Sequence, residues 1–188
     1  MNRPDRRLGV ALAVSLCLIA VQPHSARAAT AAEIDRKVTA ALNALYAKNP
    51  AAKLLGKEAK GILVFPEIVK GAFVVGGQYG QGALRKGRRT VAYYNTLAAS
   101  YGLQAGGHKF GYALFFMSDS ALKYLETTEG LEIGVGPAVT VVDEGVAKSV
   151  TTTTARSDVY AFIFDQKGLM AGLGIQGSKI TRIHPDKK

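Results

Sequence analysis

Residues 71–89 read GAFVVGGQYGQGALRKGRR. Apolar, strand-favouring segments from Ala72 to Tyr79 and from Val91 to Tyr94 flank a basic centre, which is the layout of a β-hairpin with its tip near residue 86. Arg85, Lys86, Arg88 and Arg89 fall within five positions at that tip. Glycine beside basic residues can cradle phosphate. It can also simply let a strand bend, and the rest of the chain favours the bend. Gly76-Gly77, Gly106-Gly107, Gly134, Gly136, Gly172 and Gly174 all sit inside strand-like segments. Glycine there marks a bulge, a sharp bend or close backbone approach. Such repetition predicts a strongly curved sheet, and Gly76 or Gly77 replaced by valine is expected to lower stability.

Strand patterns occur at Ile62–Phe65, where Pro66 is expected to stop the strand, and at 101–105, 112–117, 131–142, 149–154, 159–164, 169–175 and 179–183. Helices come first. Thr30-Ala-Ala-Glu33 is a capping-box pattern, followed by Ile34, Val38, Ala41, Leu42 and Leu45 at helical spacing. Asp35, Arg36, Lys37 and Lys48 occupy the opposite, polar face, so core packing accounts for this helix better than membrane contact. Asn49-Pro50 starts a second short helix, which Gly61 ends. Ser118 caps a third, through Leu125. The expected class is α+β: N-terminal helices, then a strongly curved, mainly antiparallel glycine-rich β-sheet or partly closed barrel, with one further short helix.

The chain opens with a basic MNRPDRR, an apolar Leu8–Val21 run and Ala26-Arg27-Ala28. That is the layout of a secretory signal peptide over residues 1–28, cleaved before Ala29, with a single domain over 29–188. The apolar run is shorter than the ~20 residues of a spanning helix. Cys17, the sole cysteine, follows Leu16 where a lipoprotein signal wants a small residue, so lipidation is disfavoured. The expected location is the periplasm or cell surface, peripheral to a membrane. Residues 29–188 keep 20 of the 24 Lys/Arg and 13 of the 14 Asp/Glu, a formal charge of +7. Outside the cytoplasm, the anions such a surface meets are lipid headgroups and polysaccharides, not nucleic acid.

No enzyme motif survives its context. Gly172-Leu-Gly174-Ile-Gln-Gly177 fits G-x-G-x-x-G, yet no helix can follow and no acidic residue stands ~20 positions on. Gly177-Ser-Lys179 has the P-loop residues in the wrong order. His108 and His184 have no partners at metal-ligand spacing, and no G-x-S-x-G elbow exists. Turn chemistry accounts for Asp143-Glu144. A binding protein without catalytic residues, metal or cofactor is expected.

Five blocks then form a family pattern in order: Ala59-Lys-Gly-Ile-Leu-Val-Phe-Pro66, Lys70 through Gly82, Ser100-Tyr-Gly-Leu-Gln-Ala-Gly106, Gly134-Val-Gly-Pro137 and Lys167 through Gly177. Together they resemble the SYLF domain family of lipid-binding proteins over nearly all of residues 29–188. The resemblance implies binding of anionic phospholipids. In eukaryotic relatives the ligands are phosphoinositides, and the N-terminal amphipathic segment contributes to membrane contact. Where the family often has tryptophan after the basic loop, this chain has Tyr93-Tyr94, which can occupy the same interfacial depth.

On this reading the candidate headgroup contacts are Arg85, Lys86, Arg88 and Arg89, with Lys57, Lys60 and Lys70 as further cations. Changing all four tip residues to glutamine is expected to weaken binding to anionic vesicles strongly, flatten its salt dependence and leave the melting temperature nearly unchanged. The competing readings are a β-rich periplasmic carrier of a small apolar ligand and an envelope protein–protein interaction module. A solvated hairpin tip that blocks edge pairing is the plain alternative for the basic run.

Overall fold

The computed structural model describes residues 29–72, 75–101, 108–128, 130–142, 157–164, 175 and 177–186. The proposed signal segment, the 149–154 strand and most of 169–175 lie outside them.

Thr30 caps α1 (Ala31–Lys48): its hydroxyl accepts from the Glu33 amide, and the Glu33 carboxylate accepts from the Thr30 amide. That second bond holds the Glu33 carboxyl below its usual pKa. Asn49 ends α1 and caps α2 (Pro50–Glu58) by accepting from the Ala52 amide. Ser118 caps α3 (Asp119–Thr127). All three starts are the predicted ones.

Eight strands follow the order β5-β8-β3-β2-β1-β4-β7-β6 in one sheet. They are β1 (Gly61–Ala72), β2 (Val75–Lys86), β3 (Arg89–Tyr101), β4 (His108–Phe116), β5 (Leu131–Glu132), β6 (Val139–Val142), β7 (Val159–Phe164) and β8 (Lys179–Ile183). Among these, β6 and β7 pair in parallel and the other pairs are antiparallel. Both edge strands are short, which limits pairing with other chains. The predicted 131–142 strand is two strands, because Gly134 (φ 106°) and Gly136 (φ 101°) turn the chain between them.

The sheet is a curled half-barrel. A single hydrogen bond reports the curl: Tyr112 Oη of β4 donates to Thr96 Oγ1 of β3 at 2.9 Å, although β1 and β2 lie between. In a flat sheet those strands would be about 14 Å apart. Burial pushes the Tyr112 hydroxyl pKa up, which the bond to Thr96 partly opposes.

Pro66 does not stop β1. The strand passes through it by a bulge between Val64 and Glu67, where proline's missing N–H is tolerated. The neighbouring strands place glycine against this bulge. A Cβ on Gly82 would strike the Val64 carbonyl oxygen and come within 2.8 Å of Phe65 Cδ1; one on Gly111 would strike the Phe164 ring and lie 2.8 Å from the Pro66 oxygen. Architectural glycine is therefore correct in kind and holds at Gly134 and Gly136, while the close approaches to neighbouring strands fall at Gly82 and Gly111 instead of Gly77. Gly77 has only an ordinary contact, 3.8 Å to the Ala98 oxygen, and the side-chain environment of residue 76 lies outside the described part.

Alternation along the strands divides two cores. The concave face packs Leu63, Phe65, Ile68, Leu84, Tyr94, Tyr112 and Leu114 against Leu122 and Leu125 of α3. The outer face packs Val64, Ala83, Ala113, Phe115 and Phe162 under Ile34, Val38, Leu45 and Leu55 of α1 and α2. The predicted apolar stripe of α1 is thus core.

Candidate functional site: a basic cleft at the hairpin tip

Gly87, at φ 59°, and Arg88 form a two-residue turn between Lys86 and Arg89, which pair across it. This is the predicted hairpin, with both strands longer than the sequence pattern indicates. Its four basic residues do not act as one tip. Successive side chains of a strand face opposite sides of the sheet, so Arg85 follows Ala83 toward α1 and Lys86 follows Leu84 toward α3.

Arg85 is docked. Its Nη2 donates to the Asp35 backbone oxygen at 3.1 Å and to Thr39 Oγ1 at 2.7 Å, and Nη1 donates to the Arg88 oxygen at 3.2 Å. The Asp35 carboxylate lies 3.9 Å away, and the Arg85 side chain is only 14% exposed. That carboxylate also accepts from Thr90 Oγ1 at 2.7 Å and from Tyr93 Oη at 3.1 Å. Burial, then the bond to Asp35, raises the Tyr93 pKa. Thr90 and Tyr93 reach the same carboxylate because β3 carries one extra residue, Val91, between the partners of Arg85 and Leu84. Asp35, predicted on a solvated helix face, instead ties α1 to the hairpin.

Lys86 pairs with Glu126 of α3 at 2.7 Å, both side chains about one-third or more exposed. Exposed pairs contribute roughly 0–1 kcal/mol. Lys86→Gln is therefore expected to shift the melting temperature by no more than about 3 °C, an effect that vanishes in high salt.

Arg88 and Arg89 are exposed. Arg88 joins Lys57 of α2 and Arg85 around a cleft of about 520 Å³ between the two helices and the hairpin. Thr39, Asn43 and Tyr46 add polar groups to its wall, and Leu42, Ala59 and Ile62 form an apolar side. Tyr46 lies against Gly56, where a Cβ would strike its hydroxyl. Lys60, just past α2, is exposed beside this end of the molecule. Lys70 is not: it lies eight residues along β1 from Ile62, roughly 25 Å away. The structure thus gathers Lys57, Arg85 and Arg88, sends Lys86 to the other face and Lys70 to the other end.

Tyr93-Tyr94 cannot be the interfacial anchor that the sequence suggests. Tyr94 is 1% exposed in the concave core, and Tyr93 is engaged by Asp35. The small-ligand carrier finds no large chamber among the described residues. The concave face is filled by the side chains named above, and the hollow beside Ile133, Val139 and Ile175 measures about 120 Å³.

The family model described as "Ysc84: Las17-binding protein actin regulator" matches residues 97–186. The match agrees with the SYLF resemblance read from the sequence. No curated protein matches the chain. The matched SYLF stretch begins in β3 and runs past β8, so it contains α3 and the second half of the sheet. The cleft lies ahead of it in sequence, on α1, α2 and the β2–β3 hairpin.

Proposed function

We propose that the protein is a non-enzymatic, peripheral lipid-binding protein of the bacterial envelope that binds anionic phospholipids. The SYLF/Ysc84 family is associated with lipid binding and actin regulation. The observation that carries the reading to this chain is the convergence of Lys57, Arg85 and Arg88 on one cleft; Arg89 pairs across the turn with Lys86, on the other face. Three elements contribute to the cleft, so its cations meet only in the folded protein. Arginine suits bidentate contact with phosphate. Export to the envelope, read from residues 1–28, makes bacterial anionic phospholipids the ligands at hand in place of phosphoinositides.

Each Lys or Arg close to an anionic surface is worth about 1 kcal/mol. The variant Lys57→Gln/Arg88→Gln should therefore bind phosphatidylglycerol-containing vesicles roughly 30-fold more weakly at low salt. Its melting temperature should match the parent, because neither residue makes a side-chain bond that holds the described fold together. Flotation at low salt is the measurement. Parental binding by this variant would remove the cleft as the headgroup site.

A further inference from the structure

On the outer face of the sheet α1 and α2 pack over Val64, Ala83, Phe115 and Phe162. Beyond them, three apolar side chains stand in one register row on adjacent strands: Val69 of β1 opposite Tyr79 of β2, and Tyr79 opposite Leu97 of β3. They are 46%, 45% and 58% exposed. Directly opposed residues on neighbouring strands have Cβ atoms about 5 Å apart, so the three form one stripe, not scattered surface residues. The next row of β2 and β3 is small, Gly77 opposite Ala99. Lysine continues the row at both ends, with exposed Lys109 opposite Val69 and exposed Lys179 opposite Leu97. Lys37 of α1 shares a groove of about 160 Å³ with Val69 and Tyr79. Two acids temper this rim. Glu67 pairs with Lys109 at 3.2 Å, and Glu132 stands opposite Lys179.

We propose that this row is a second lipid-contacting surface, seated in the interfacial zone of an anionic bilayer. It rests on the lipid-binding reading above but not on the cleft. A bilayer fits better than a second copy of the chain. A stable protein interface takes about 800 Å² and some 20–30 residues on each side, far more than three side chains offer. Tyr79 at the centre has the amphipathic ring favoured at headgroup depth. The lysines can lay their stems along the stripe and carry their ammonium groups to lipid phosphates. The row and the hairpin tip are separated by seven residues of β2, Tyr79 to Lys86, or roughly 23 Å, with α1 between them. They are two contacts of different physics, one electrostatic and one largely apolar.

The test uses the full chain with equimolar phosphatidylcholine/phosphatidylglycerol vesicles at about 0.1 M and about 1 M salt, between which the Debye length falls from about 10 to about 3 Å. The parent should keep a salt-resistant fraction of binding. Val69→Ser/Tyr79→Ser/Leu97→Ser should reduce that fraction about tenfold, while Lys57→Gln/Arg88→Gln should lose only the salt-sensitive part. The chain has no tryptophan, so Tyr79→Trp supplies a reporter that does not depend on the triple variant folding. Its emission should shift to the blue on adding vesicles at about 1 M salt.

Unshifted emission from the Tyr79→Trp variant, or triple-variant binding equal to the parent's at both salt levels, overturns the proposal. So does a parent with no salt-resistant binding. A dimeric parent made monomeric by the triple change, with vesicle binding intact, would make the row a contact between copies instead. If the cleft variant binds normally while the row variant fails, the row stands and the cleft falls.

Discussion

Gly82→Val should be among the most damaging single substitutions in the described part of the protein, lowering stability by about 4 kcal/mol or preventing folding. Gly82 faces the concave side of β2, opposite the bulge that carries β1 through Pro66. A Cβ there meets the backbone carbonyl of Val64, which cannot rotate away, and Phe65, which is fully buried. Relief would require β1 and β2 to separate at the bulge, and the Tyr112–Thr96 bond across the curled sheet would weaken with them. For a chain of this size, 4 kcal/mol is roughly 10 °C of melting temperature. Gly77→Ala is the matched control. Its site has room for a methyl group, so its melting temperature should stay within a few degrees of the parent. Thermal unfolding by circular dichroism compares the two. A Gly82→Val protein that melts with the parent would mean that the strands reach their curvature without the close approach at this glycine.

That pair of glycines also marks how far the sequence could be read. Glycine inside strand-like segments indicates curvature because nothing else profits from so many absent side chains, and the curled, mainly antiparallel sheet follows. Which glycine meets a neighbouring backbone depends on register. The register of β1 against β2 changes at Pro66, a residue that reads locally as a strand end. The helix caps were legible for the opposite reason, since a capping box closes within four residues and needs no distant partner. The stripe of Val69, Tyr79 and Leu97 was illegible, because its three members come from separate segments aligned only after the bulge is placed.

The basic run was half legible. Its hairpin is local, and period-two alternation alone separates Arg85 from Lys86. The identity of what covers each face is long-range. Only the folded chain shows α1 over Arg85 and α3 beside Lys86, with Asp35 supplying a carboxylate 50 residues upstream of Arg85.

Arg85→Gln should consequently destabilise the protein by about 2–3 kcal/mol, although a solvated tip would predict almost no change. The guanidinium donates to the Asp35 and Arg88 backbone oxygens and to the Thr39 hydroxyl, and hydrogen bonding to a charged group contributes about 1.5–3 kcal/mol net of exchange with water. Glutamine is shorter and cannot span the same acceptors. The Asp35 carboxylate would keep its bonds from Thr90 and Tyr93 and lose its nearby positive charge. The loss should appear as a melting temperature lower by about 4–12 °C, with hydrogen exchange accelerated first in α1, the element that Arg85 holds to the hairpin. Arg88→Gln, which leaves the Arg88 backbone carbonyl in place, should leave both readings near the parent's. Vesicle binding then separates the two roles. If Arg85 serves the cleft mainly by fixing α1, Arg85→Lys should regain part of the binding without regaining the full stability, since one ammonium restores charge but not the fork of donors. A parental melting temperature for Arg85→Gln would show that the bonds to Asp35 and Thr39 contribute nothing net, and would return Arg85 to the freely exposed tip with Arg88 and Arg89.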